Sequence, residues 1–261
     1  MIRLLQIEFM KLWPYRSFRV LFIIYILLQL GFLMTGRSVV QVDNQDMNSI
    51  FNVLAFPNIW NYYLYFAGIF NIILGILVIF VTTNEYSYKT IRQNVIDGLS
   101  RNEVVAGKIL LLFTFAIFST ILVFAGTVIA GMNYTDGATL QTAMERSSLI
   151  FAYFVQCICL LSLAFLFGTI FKRSGVATLL FLVFIFPLDV IINKAILRDC
   201  CNDYLPVSNM FVKLINSPYV LIRSMGEDAQ SAPALLAIGV GLVYTLLFFI
   251  INWQVTNKRD L

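Results

Sequence analysis

Ser148–Phe171 reads SLIFAYFVQCICLLSLAFLFGTIF, 24 residues without one charged side chain. A helix needs about 20 mostly apolar residues to cross the hydrocarbon of a bilayer. The stretch shows no alternation of apolar and polar residues, so it does not read as a barrel strand. Only helices and closed barrels satisfy their backbone groups in lipid. The stretch is therefore read as a transmembrane helix.

Five further stretches qualify or nearly qualify: about Phe18–Met34, Tyr62–Thr83, Ile109–Met132, Gly175–Ile192 and Ala234–Asn252. Composition points the same way. The chain is 60% hydrophobic and 12% charged, where a soluble domain carries about 25% charged residues. There is no internal repeat and no sign of a second domain. The expected fold is an all-α membrane protein with six transmembrane helices in a single domain over residues 1–261.

The lead is not patterned as a cleaved signal peptide, since Arg3, Glu8, Lys11, Arg16 and Arg19 spread charge along it and no small-residue cleavage site follows. Its Leu4, Leu5, Phe9, Leu12 and Trp13 alternate with those charges, so residues 1–16 are expected to form an interfacial helix along the inner leaflet. With six spans both ends share one side. If that side is the cytoplasm, twelve basic residues lie inside: Arg3, Lys11, Arg16, Arg19, Lys89, Arg92, Arg101, Lys108, Lys172, Arg173, Lys258 and Arg259. Six lie outside, and together they exhaust the eighteen Lys and Arg. The positive-inside bias thus supports cytoplasmic ends. The net charge of +4 follows from this bias and gives no reason to invoke nucleic acid.

The connections are unequal. The turn Lys172–Gly175 is tight, so spans four and five are expected to form an antiparallel hairpin. The connection 193–233 carries apolar stripes around Ile196 and Phe211. Two short helices broken near Pro206 and Pro218, dipping back into the outer leaflet, account for both stripes. Cys157 and Cys159 read as packing residues. Cys200 and Cys201 are adjacent, and neighbouring cysteines bridge each other only with strain. The chain has no histidine, which excludes the common metal sites and the Ser–His and Cys–His nucleophiles. No G-x-x-x-x-G-K-[ST] phosphate loop occurs in it either.

Four polar positions within the apolar stretches are weighed for function. Asp189 marks a pathway if it lies deep, or headgroup depth if span five ends near Pro187. Asn71 and Gln156 are single uncharged polar groups, read as hydrogen bonds between helices or as contacts to cargo. Gly68 and Gly75 lie seven apart and suit close helix packing. Glu85, at the end of span two, is either solvated, paired with Lys89, or part of a salt bridge at the membrane boundary.

One polar segment stands between two apolar stretches: Thr83–Lys108, TNEYSYKTIRQNVIDGLSRNEVVAGK. Ile91, Val95, Ile96 and Leu99 fall at helical spacing, so a short amphipathic helix is expected at the membrane surface. The succession Glu85, Thr90, Leu99–Ser100–Arg101 and Gly107–Lys108 resembles the permease subunits of type-2 ABC exporters, and the likeness extends over nearly the whole chain. It departs at Lys89, where such chains commonly carry glycine.

The resemblance implies an N-terminal interfacial helix, a cytoplasmic coupling helix within residues 84–108 and outer re-entrant helices before the last span. It implies that Glu85, Lys89, Thr90, Arg92, Leu99, Arg101, Glu103 and Lys108 couple the chain to an ATPase. The partners it implies are a cytoplasmic ABC ATPase subunit and a second permease subunit, identical or different. This chain would then be no enzyme and hold no cofactor, with ATP and Mg on the ATPase. It would be a multi-pass protein of the bacterial inner (plasma) membrane. A stand-alone channel or ion-coupled carrier and a mechanical or anchoring subunit remain as alternatives, and the substrate is not legible.

Overall fold

The computed structural model of the chain describes residues 2–42, 45–46, 54–88, 90, 93, 96, 98–135, 137, 139–188, 191, 204–215 and 234–258. The helices are α1 (Ile2–Leu12), α2 (Arg16–Val40), α3 (Ile59–Ser87), α4 (Arg101–Tyr134), α5 (Leu140–Met144), α6 (Leu149–Phe171), α7 (Ser174–Val183), α8 (Pro206–Ser208) and α9 (Leu235–Lys258). Helix α7 runs on as a π-helical turn over Phe184–Leu188, and α8 over Asn209–Lys213. A two-residue antiparallel ladder pairs Gln41 with Asp46 and Val42 with Gln45.

Among the described residues five helices are long and apolar enough to cross a membrane: α2, α3, α4, α6 and α9. The fifth expected span, α7, is a shorter apolar helix. With its π turn it reaches roughly 20 Å, short of the ~30 Å hydrocarbon thickness.

Helix α6 sits at the centre. It is apolar all round and buried on nearly every face, as a helix surrounded by other helices must be. Glycines let α3 approach it. A Cβ at Gly168 of α6 would stand 3.0 Å from Thr82 Cβ, and one at Gly68 of α3 would stand 2.5 Å from Gln156 Nε2. Gly75 makes the same room for α7, where a Cβ would stand 2.8 Å from Phe181 Cζ. Helices α2 and α9 leave apolar side chains exposed on one face, such as Leu27 and Leu246, which suits contact with lipid.

The third span differs from its expected start at Ile109. Ser100 caps α4 by accepting from the Glu103 amide, while the Glu103 carboxylate accepts from the Ser100 amide at 2.7 Å. This capping box starts the helix at Arg101. The polar stretch 84–108 is thus split: α3 takes its first residues, α4 takes its last, and only 88–100 connect them. At 34 residues α4 is about 51 Å long, so its first turns extend past the hydrocarbon.

One end of the bundle gathers α1, the α3–α4 junction, the α6–α7 turn and the end of α9. Lys172 turns the chain in the left-handed region at φ 52° and sets its ammonium 5.6 Å from the Tyr86 ring centroid. Arg101 donates to the Asn257 carbonyl at 2.8 Å, and the Trp253 indole donates to Asn102 at 2.9 Å. At the other end Trp60 donates to the Ala143 carbonyl, and Arg146 to Asn58. The turn after α8 also packs there, with Val207, Leu214 and Ile215 buried and Leu214 beside Gly241 of α9. Asp189, Lys89, Arg92, Cys200, Cys201 and Pro218 lie outside the described residues.

Candidate functional site

Among the described residues, the charged side chains gather where α1, α3 and α4 meet. Leu4, Glu8 and Leu12 recur every four residues and so share one face of α1. That face docks on α4, leaving Phe9, Met10 and Trp13 exposed. Glu8 is therefore carried into the contact and buried. Lys108 enters from α4 and Glu85 from the last turns of α3, both buried as well. The Lys108 ammonium donates to Glu8 Oε2 and, at 2.5 Å, to Glu85 Oε1. Lys11 donates to Glu8 Oε1 at 3.2 Å.

Two carboxylates and two ammonium groups thus form a neutral chain linking three helices. Burying charge is costly unless each group is paired, so the pairing is required by the burial. Burial pushes the Glu8 carboxyl up, but the Lys108 and Lys11 ammonium groups outweigh it and hold it below its ordinary value. Of the readings of Glu85, the structure shows the salt bridge within the chain, with Lys108, while the pairing with Lys89 falls outside the described residues. Lys108 is no solvated flanking charge.

The connection between α3 and α4 hangs from this clasp. Thr90 donates to the Glu85 carbonyl at 3.4 Å. Thr90, Gln93 and Ile96 are helical, and Gly98 ends the segment at φ 97°, in the left-handed conformation where glycine closes helices. Gln93 is exposed and Ile96 is 69% exposed, so Ile96 points away from the bundle where amphipathic spacing placed it on the packed face. Leu99 is half-buried. Arg101 and Glu103 lie in the first turn of α4, Arg101 tied to α9 and Glu103 to the cap.

A second polar cluster lies midway along the spans. Asn71 Oδ1 of α3 accepts from Tyr25 at 3.2 Å, Ser119 at 3.1 Å and Tyr153 at 3.2 Å. Gln29 donates to the Tyr25 hydroxyl. Four helices are joined through one amide oxygen, while the Asn71 Nδ2 is buried with no partner among the described residues. Gln156 sits apart from it, against Gly68.

Sequence reasoning passed over Glu8, Tyr25, Ser119 and Tyr153. For Glu8 there was a signal: it is the sole acidic residue before Asp43, and it shares a face with two leucines. The three hydroxyls carry none, because Tyr and Ser in apolar runs read as neutral filler.

Residues 4–188 match the family model described as ABC-2 family transporter protein. A comparison with curated proteins finds no significant match.

Proposed function

The chain belongs to the ABC-2 transporter family, and we propose that this multi-pass permease is the membrane subunit of an ATP-driven exporter whose ATPase is a separate chain. Segment 88–100 is the docking element. The observation that supports this is its anchoring at both ends. Glu85 and Lys108 clasp the two flanking helices to α1, and Arg101 ties the second to α9. A displacement of the segment would be passed to two spans, the interfacial helix and the last span together, as a rigid-body push requires. Exposed Gln93 and Ile96 offer the contact surface, and Thr90 and Leu99 are half-buried.

The bundle end holding this segment is taken as cytoplasmic, in line with its basic residues. In this reading α7 makes a sixth crossing, both chain ends are cytoplasmic, and the membrane is the bacterial inner membrane. ATP and Mg2+ belong to the ATPase. A second permease subunit, identical or different, completes the transporter. A stand-alone channel or carrier has less support: no Asp, Glu, Lys or Arg lies midway along the five long helices, whereas carriers place ionisable groups or broken helices there.

The test is co-purification of the tagged full chain from its host. An ABC-type ATPase should accompany it, and Ile96→Asp should release that ATPase without lowering the yield of folded chain, because the side chain is exposed. Undiminished co-purification of the ATPase with Ile96→Asp, or transport by the purified chain alone in liposomes without ATP, overturns the proposal.

A further inference from the structure

Arg16 and Arg19 open α2 just after the turn Trp13–Pro14–Tyr15, at the clasp end of the bundle, and both are exposed. Lys11, Lys108, Lys172 and Arg101 at the same end are engaged, by Glu8, the Tyr86 ring and the Asn257 carbonyl. Among the described residues no carboxylate pairs with Arg16 or Arg19, and the first turn of α2 holds no acidic residue. Three positions apart, the two arginines are neighbours on one helix face, where like charges repel. An anion between them relieves that repulsion.

Their face is the one that meets lipid. Arg16, Arg19, Ile23, Leu27, Leu30 and Met34 fall within about a quarter of the helix circumference, and the four apolar ones are exposed. The apolar window Arg16–Met34 has 19 residues and so spans about 28 Å, close to the ~30 Å of the hydrocarbon. Its end at the arginines therefore falls at the level of the lipid phosphates. Trp13, exposed just before them, is a residue type that favours the boundary between hydrocarbon and headgroups.

We infer that the corner between α1 and α2 binds one anionic phospholipid. Its phosphate lies between the Arg16 and Arg19 guanidinium groups, whose planar forks match phosphate oxygens. An acyl chain runs along the Ile23–Leu27 stripe. An acidic protein segment is a poorer occupant, because the arginines give way directly to bare apolar side chains, which a lipid tail covers and a charged peptide does not. The lipid holds this corner to its leaflet while the clasp holds α1 to α3 and α4. The inference stands whether or not an ATPase docks on segment 88–100.

Native mass spectrometry tests it, on the purified full chain stripped of lipid in detergent and then given equal amounts of phosphatidylglycerol and phosphatidylcholine. The unaltered chain should retain phosphatidylglycerol in preference, because the choline ammonium of the other lipid opposes the arginines. Arg16→Gln with Arg19→Gln should weaken that retention about 25-fold, at about fivefold for each basic residue lost beside an anionic surface. Both side chains are exposed, so this variant should keep its thermal midpoint. Arg173→Gln with Lys258→Gln removes the same charge from exposed positions at the same end and should leave retention unchanged. Equal retention of the two lipids by the unaltered chain overturns the inference, whatever the variants do. So does an equal loss in both double variants, which would mean diffuse attraction rather than a site. Dimers that carry no phosphatidylglycerol would mean that a second copy covers the stripe, and overturn it too.

Discussion

Lys108 is the residue on which the clasp end of the bundle depends. It pairs with two buried carboxylates, of which Glu8 would keep only Lys11 without it. Removing one member of a buried charge network costs about 3–5 kcal/mol, chiefly because its partners stay behind. Lys108→Met keeps the aliphatic stem and loses the charge, so it should destabilise the chain by about that amount, read as a lowered thermal midpoint in detergent. Adding Glu8→Gln and Glu85→Gln to it should restore much of the loss. A midpoint left unchanged by Lys108→Met would show that the charges are solvated. Glu8 supplies a pH dependence with a definite sign. Its folded value lies below the ordinary 4.5, so its contribution is complete above pH 4.5 and disappears as pH falls through the lower folded value. Hydrogen exchange in the amides of α1, once the intrinsic rate is removed, should therefore rise as pH falls below about 4.5. Glu8→Gln should abolish that acid step.

Helices meet here through glycines placed against particular partners. Gly75 faces Phe181 of α7, so Gly75→Val must push a fully buried ring aside or part the helices. It should lower the thermal midpoint markedly. Gly239 of α9 has open space where a Cβ would go, and Gly239→Ala should change stability by no more than about 1 kcal/mol, in the favourable direction. Equal effects at the two sites would contradict this packing. The same helices show what could be read from the chain alone. Length and apolarity revealed the long spans, because lipid demands both of any crossing helix. The glycine spacing on α3 pointed to close packing without naming Gln156 or Phe181, since a stripe of small residues does not identify what fills it. The start of α4 was written in Ser100 and Glu103, a four-residue signature that the polarity of its surroundings concealed. The clasp was harder to see: Glu8, Glu85 and Lys108 are far apart in the chain, and pairing across such distances is decided by tertiary packing, which no local pattern encodes.

At the scale of the whole molecule, the course of the chain limits how it sits in the membrane. Helix α1 and the end of α9 are at the same end of the bundle, joined to the α3–α4 junction by the Glu8–Lys108 and Arg101–Asn257 contacts. A chain that starts and finishes at one end traverses the bundle an even number of times, and the five long helices make an odd number. The missing traverse falls between Lys172, which lies beside Tyr86 at the clasp end, and Leu214, which lies beside Gly241 at the other. Helix α7 begins that passage. Its shortness as a regular helix follows from the π turn that begins at Phe184, just before Pro187, because proline removes a backbone donor and clashes with the preceding turn. The arrangement yields a labelling prediction with Cys200 and Cys201 replaced by serine. In intact cells, cysteines introduced at exposed Ile96 and Lys258 should react only with a membrane-permeant maleimide. One at exposed Met144, on α5, should react with an impermeant reagent. Reaction of Ile96→Cys and Lys258→Cys from opposite sides would mean an odd number of crossings, and the sixth would have to be withdrawn. Reaction of both from outside would keep the count but put the docking segment where no cytoplasmic ATPase can reach it.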